Sequence, residues 1–386
     1  MKILVSAGEA SGDLYCSRLI NHLRTLSDDP LDDPLEFFGC AGPLMRAEGV
    51  RPVVEAEALS VVGLFEVVRH IPRIYGEFRK LVRAAQQEKP KLAILTDSPD
   101  FHLRLAKKLK RMGIPVVYLV APQAWAWRKW RGRQMARDLA QLYCIFPFEE
   151  PFFQSYGVPT QYIGHPLANL IKPRYSPEEF RANHGLDPAR PIVTLLPGSR
   201  LGETDRHLDV LIEASELIRK ARSVNILWGT APGFLNRADL AHLGARFRER
   251  ISAASIQVVE GETWDCMAAS RIVLAASGTV TMEAALLGIP MVTFYKVSPL
   301  SWNLGRWLVD VPHLTMVNLI AGRRLVPELM QNECTASNLA REALQIFDDG
   351  AARTEMIQGL AEVSSRLSGL KDPLESAARH IRERFL

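Results

Sequence analysis

Ser277-Gly278-Thr279 lies between a short apolar run, Ile272–Ala275, and a helix-forming segment that stops at Gly288. Ser277 reads as an N-cap, Gly278 as the flexible turn residue and Thr279 as a second hydroxyl where the helix begins. A helix N-terminus presents unpaired N–H groups and partial positive charge, so this turn suits a phosphate. Glu283 follows one turn into the helix. A carboxylate there is poorly placed for phosphate but well placed to accept hydrogen bonds from ribose hydroxyls, as an acidic residue does at dinucleotide sites. The same residues also fit an ordinary buried βαβ unit whose Glu283 sits on a solvated face.

Four other polar loops stand at the ends of predicted strands. Gly8–Asp13 follows Lys2–Ala7, Asp97–His102 follows Leu92–Thr96, Gln123–Arg128 follows Val116–Val120, and Gly198–Arg200 follows Ile192–Leu196. In open α/β sheets the carboxyl edge of the strands is where ligands bind, so the five loops together predict a ligand site better than any one of them. The glycines of Gly8–Asp13 are four apart, without the G-x-G-x-x-G spacing of a nicotinamide or flavin enzyme. No D-x-D pair ends a strand in the second half, and the expectation is an enzyme with neither metal nor cofactor.

The elements that carry these loops alternate strand and helix twice over, which predicts α/β architecture with two doubly wound, Rossmann-like domains facing each other across a cleft. A chain of 386 residues is long for one core and agrees with two domains. Pro166, Pro173, Pro177, Pro188 and Pro191 mark a linker. The predicted boundaries are 1–168 for the N-terminal domain, 169–190 for the linker, 191–350 for the C-terminal domain, and 351–386 for helices that pack back or across a dimer. Hydrophobic residues at 47% and charged residues at 23% describe an ordinary globular protein. Five scattered cysteines point to a reducing compartment and away from structural zinc. The opening Lys2–Ser6 turns directly into a loop and is not a signal peptide, and no stretch makes a good membrane span.

Charge is segregated. Residues 60–137 carry 17 Lys and Arg against 5 Asp and Glu, a net +12 in a chain whose total is +4. Such a region implies an anionic partner: nucleic acid, a phosphorylated substrate or an anionic lipid surface. No nucleic-acid motif accompanies it. Within it, Leu64–Val82 bears a helical apolar stripe at 64, 67, 68, 71, 74, 75, 78, 81 and 82, which predicts a core-facing helix. Val61, Val62 and Phe65 fall off that stripe beside Leu64, and Arg69 and Arg73 follow. Apolar tips flanked by cations predict an element lying on an anionic membrane surface. A loop packed on its own domain or on a dimer partner is the other reading.

Seven loops, taken in order, resemble those of the lipid-A-disaccharide synthase family: Gly8–Asp13, Asp97–Phe101, Trp125–Arg128, Ile163–His165, Leu196–Arg200, Ala276–Thr279 and Asn318–Arg323. The resemblance spans nearly the whole chain. Ala10 stands where the family more usually has Thr, and Gln123 where it often has Ser. The resemblance implies a GT-B glycosyltransferase, inverting and metal-independent, peripheral on the inner face of the bacterial inner membrane. The implied reaction joins UDP-2,3-diacylglucosamine to 2,3-diacylglucosamine 1-phosphate, giving a β-1,6 disaccharide and UDP. The first domain would then take the lipid acceptor and the second the UDP-sugar, at Gly198, Ser199, Arg200, Ser277, Gly278, Thr279, Glu283 and Asn318.

Inverting transfer needs a base for the acceptor hydroxyl and positive partners for the leaving diphosphate. Asp97, at a strand end before a tight Ser-Pro turn, is the best-placed carboxylate, with Asp13 and Asp100 next; Asp100 also suits an N-cap. His165 reads as a domain-junction residue, and Trp125 and Trp127 either stack on a sugar or fill a core. Two other readings compete: a different UDP-sugar enzyme on the same fold (a soluble-acceptor transferase or an epimerase), and a non-catalytic lipid-surface or nucleic-acid-binding protein. The first leaves the basic 60–137 region unexplained, and uncharged Gly/Ser turns at strand ends argue against the second.

Overall fold

Apolar runs buried on both faces build two separate parallel sheets in a computed structural model of the chain, which describes residues 1–26, 34–58, 64–198, 201–234, 241–297, 302, 311–369 and 372–386. The chain divides into two compact units, residues 1–166 with 367–386, and residues 167–366.

In the first unit the strands are β1 (Lys2–Ser6), β2 (Glu36–Ala41), β3 (Arg51–Glu55), β4 (Leu92–Thr96), β5 (Val116–Leu119), β6 (Gln141–Cys144) and β7 (Thr160–Tyr162). They are hydrogen-bonded in the order β3-β2-β1-β4-β5-β6-β7, every pair parallel. Ile3, Leu4, Val5 and Leu92–Leu95 have no exposed surface. Helices cover both faces of such a sheet, so its central strands read as unbroken apolar runs rather than alternating ones. The chain winds out from β1 to the β3 edge, then returns to β4 and winds the other way. The β1/β4 boundary is therefore the topological switch point, where the strand ends diverge and leave a crevice.

The second unit repeats the winding with β8 (Ile192–Leu196), β9 (Asn225–Thr230), β10 (Gln257–Glu260), β11 (Ile272–Ala276), β12 (Met291–Tyr295) and β13 (Glu328–Met330). Their order is β10-β9-β8-β11-β12-β13, which puts the switch point between β8 and β11. The two-domain α/β expectation is met. Strands β3, β7 and β13 carry no clear sequence signal, since each is a sheet edge, half-covered and without a continuous apolar run.

Residues 169–190, expected as a linker, fold onto the second unit. Helix Pro177–Asn183 opens with a capping box in which Ser176 and Glu179 satisfy each other's backbone N–H. Phe180 of that helix is fully buried among Leu186, Ile192 and Val259. The last helix, Pro373–Phe385, returns to the first unit, where Arg382 donates to the Leu23 carbonyl at 2.8 Å. His165 stands where the first unit's leading segment ends. It is buried, which pulls its ring pKa down to about 3, and its backbone N–H donates to the Leu367 carbonyl at 3.0 Å. Among the described residues no helix is long and apolar enough to cross a membrane.

Candidate active site

The first unit's switch point is built around Asp97. The chain leaves β4 with two successive left-handed residues, Asp97 at φ 53° and Ser98 at φ 37°. This conformation is costly for residues with a side chain, so the surroundings must hold it. The Asp97 carbonyl accepts hydrogen bonds from the Tyr118 hydroxyl and from His102 Nδ1. A carbonyl only accepts, so Nδ1 carries the imidazole proton. Nε2 is then the acceptor for the Ser6 hydroxyl at 2.7 Å. Burial keeps His102 neutral by pulling its pKa down to about 4.

The Asp97 carboxylate turns back over β1. Oδ1 accepts from the Gly8 N–H at 2.8 Å and Oδ2 from the Glu9 N–H at 3.1 Å. A Cβ at Gly12 would lie 1.9 Å from Oδ2, and one at Gly8 would lie 2.6 Å from Ser98 Oγ. The glycines four apart are thus spaced to admit this carboxylate, which the sequence alone does not disclose. Burial raises the Asp97 pKa to about 7, opposed by the two amide bonds, while 11% of the side chain stays exposed. A solvent-accessible carboxylate that titrates near neutrality is matched to general-base work.

Asp13 and Asp100 are engaged differently. Asp13 is buried, and its two oxygens accept the Leu44 and Met45 N–H groups at 2.9 and 3.1 Å, closing the N-terminus of helix Pro43–Ala47. Asp100 is not an N-cap. Ser98 holds that position before helix Pro99–Arg111, and the exposed Asp100 carboxylate pairs with Arg128 at 2.6 Å and with Arg131. The tryptophans divide as well. Trp125 packs on the core and donates to Glu149 at 3.1 Å, while Trp127 is 42% exposed under the Arg128 guanidinium, 3.9 Å from its ring centre. Nothing in the local sequence marks Glu149, whose side chain is fully buried, and burial raises its pKa to about 8.

At the second unit's switch point, β11 runs into helix Thr279–Leu286. The N-cap is Gly278, one residue later than expected, and no side chain caps the helix. Gly278 and Thr279 are exposed, so the first-turn N–H groups face solvent. Glu283 does not sit on a solvated face: it is half-buried, its Oε2 accepts the Trp264 indole N–H at 2.9 Å, and burial raises its pKa. The neighbouring loop leaves β8 through Pro197 and Gly198, and His207 Nδ1 is 2.7 Å from the Pro197 carbonyl. Ser199 and Arg200 lie outside the described residues.

Asn318, expected at the UDP-sugar, is buried with its amide fully engaged. Nδ2 donates to the Val326 carbonyl and to Glu328, each at 2.9 Å, while Oδ1 accepts from the Leu325 and Val326 N–H groups. An amide makes four such bonds, so this side chain ties helix Met316–Ala321 to β13 and has none to spare for a ligand. Val61 and Val62 lie outside the described residues, as do the side chains of Leu64, Phe65 and Arg69. In the rest of that helix Arg73 is exposed, and Tyr75, placed on the core stripe by its spacing, is 60% exposed. Among the described residues no three His, Cys, Asp or Glu side chains converge as a metal site would require.

A family model described as lipid-A-disaccharide synthetase matches residues 3–370. The chain belongs to this family. It is 57% identical over 383 residues to the lipid-A-disaccharide synthase of Solibacter usitatus, covering 99% of this chain and 97% of that one. It is 42% identical to the enzyme of Koribacter versatilis, with 99% and 97% covered. The resemblance carried by the seven loops is therefore correct, and the chain is a glycosyltransferase of lipid A biosynthesis. Among solved structures it is similar to UDP-GlcNAc 2-epimerase from Neisseria meningitidis bound to UDP-GlcNAc, with a TM-score of 0.62, 12% identity and 99% of both chains covered. It is also similar to a glycosyltransferase from Rickettsia africae, with a TM-score of 0.57, 13% identity, and 99% and 98% covered. Those likenesses show the fold, GT-B, which epimerases share. Family membership, not fold, separates the transferase from the epimerase reading.

Proposed function

We propose that the chain joins UDP-2,3-diacylglucosamine to 2,3-diacylglucosamine 1-phosphate with inversion, releasing UDP. The observation that carries this reading is Asp97, a carboxylate held by two backbone amides at a switch point and titrating near neutrality. The acceptor lipid binds the first unit, and Asp97 takes the proton from its 6-hydroxyl. The oxygen attacks C1 of the donor sugar from the face opposite UDP. As the new C–O bond forms, the bond from C1 to the diphosphate oxygen breaks and its electron pair leaves with UDP, giving the β-1,6 linkage. In the second unit the solvent-facing amides of Gly278 and Thr279 and the Ser277 hydroxyl, with Gly198, Ser199 and Arg200, take the diphosphate, and Glu283 takes the ribose hydroxyls.

A helix N-terminus and an arginine can offset the leaving diphosphate without a cation. UDP release from the two named substrates, dispersed in detergent, should therefore persist in excess EDTA. Loss on chelation with rescue by Mg²⁺ or Mn²⁺ would refute metal independence, and no UDP from this pair under either condition would refute the reaction.

The acylated substrates call for a membrane surface, and a basic groove on the first unit supports that reading. An open groove of about 830 Å³ is lined by Arg104, Lys107, Lys108, Arg111, Arg133 and Arg137, with Trp130 62% exposed beside them. Among the described residues none of these six cations has an ion-pair partner. Each is worth about 1 kcal/mol near an anionic bilayer, and an exposed tryptophan suits the interface. The enzyme thus works as a peripheral protein on the inner face of the membrane. Lys107→Glu with Arg111→Glu should abolish co-sedimentation with phosphatidylglycerol vesicles. Undiminished binding would move the contact to the 61–73 segment.

A further inference from the structure

Arg128 and Arg131 form a fork that the reaction as drawn does not use. Arg131 is 5% exposed, and both arginines donate to the same Asp100 oxygen, Oδ1. That carboxylate is 66% exposed on its side-chain surface, so one anion partner of this fork faces solvent. Two guanidiniums against one carboxylate leave an excess positive charge. Each guanidinium also lies near an exposed indole: Arg128 is 3.9 Å from the Trp127 ring centre and Arg131 is 5.8 Å from that of Trp130. The fork is pre-set by packing. Arg131 opens helix Arg131–Asp138, and a Cβ at the next residue, Gly132, would lie 2.5 Å from the Tyr156 ring.

Its place in the fold puts it beside the base. Asp100 is three residues beyond Asp97, in the first turn of the helix that leaves β4. Tyr118, whose hydroxyl donates to the Asp97 carbonyl, is close enough to feel Asp97, Arg131 and Asp100. Two arginines converging on one point match the several oxygens of a phosphate monoester better than they match a single carboxylate oxygen. We propose that Arg128 and Arg131 bind the phosphate of the acceptor sugar, with Asp100 as the carboxylate that competes for the same fork. This rests on the acceptor reading of the first unit. The acceptor carries its phosphate at C1 and its reacting hydroxyl on C6, across the same ring. Holding the phosphate would then aim the hydroxyl at Asp97.

The test compares diacylglucosamine 1-phosphate with the same lipid lacking phosphate, at saturating donor, by UDP release from the full chain. Arg128→Gln and Arg131→Lys should each raise KM for the phosphorylated acceptor about tenfold or more, the scale of a lost charged hydrogen bond, and leave KM for the other acceptor unchanged. Asp100→Asn should lower KM for the phosphorylated acceptor by removing the competitor. Equal effects on both acceptors, or an Asp100→Asn that weakens the phosphorylated one, would overturn the proposal. Arg128 is partly exposed, so its variant should fold even where that of the buried Arg131 does not. If the wild type released no UDP, the reaction would fall first. Calorimetric titration with glucosamine 1-phosphate would still decide the fork: binding lost in Arg128→Gln sustains it, and binding unchanged overturns it.

Discussion

Asp97→Asn is expected to keep UDP binding and to lower turnover by about 10²–10⁴, the usual worth of a general base. The replacement can still accept the Gly8 N–H through its amide oxygen, so the turn after β4 should survive. The pH profile makes the role specific. The base must be ionised, and burial raises its pKa to about 7. Turnover of the wild type should rise about tenfold per pH unit up to that point and then level off, and Asp97→Asn should lack this limb. The same shift predicts a stability signature. An ordinary carboxyl titrates near 3.8 and the folded Asp97 near 7, so the native state holds a proton that the unfolded chain releases between those values. The contribution of Asp97 to stability is present below the unfolded value and lost as pH rises through about 7. Melting temperatures of wild type and Asp97→Asn should therefore diverge from pH 5 to 8 in favour of the variant. Turnover within a few-fold of wild type would move the proton transfer to another group.

Glu283→Ala should weaken UDP binding by about 1.5–3 kcal/mol if its carboxylate accepts charged hydrogen bonds from the ribose. The indole N–H of Trp264 complicates the alanine variant, because it would lose its partner at 2.9 Å. Glu283→Gln keeps an acceptor for Trp264 and removes only the charge, so its loss should be smaller than that of alanine. Calorimetry on folded variants separates these outcomes. UDP affinity unchanged in both would leave Glu283 as a prop for Trp264.

The strands at the heart of each sheet were legible because burial on both faces writes an unbroken apolar run, as in β1, β4, β8 and β11. The edge strands β3, β7 and β13 were not, since half-covered strands leave no such run. At the candidate site, Asp97 was visible as a carboxylate at a strand end, but its cradle was not. The packing of Gly8 and Gly12 against its oxygens joins residues some 90 positions apart, and no local pattern encodes that. Asp13 and Asn318 likewise have residue types suited to a ligand, yet the Asp13 oxygens accept the Leu44 and Met45 backbone N–H groups, and the Asn318 amide bonds the backbone of Leu325 and Val326 and the Glu328 carboxylate. His102 could have been noticed as an imidazole five residues beyond Asp97. Its partner Ser6 is 96 residues away, so the link it makes between Ser6 and the Asp97 carbonyl is set by tertiary structure.

The reaction itself is tested most directly by its product. Incubating the enzyme with UDP-2,3-diacylglucosamine and 2,3-diacylglucosamine 1-phosphate, then recording the proton spectrum of the isolated lipid, reads both linkage and stereochemistry. Inverting transfer predicts a disaccharide joined from C1 to O6, with the large anomeric coupling of a β-glycoside, formed in equal amount with UDP. An α-linked disaccharide, or UDP released with only the free diacylated sugar, would contradict it.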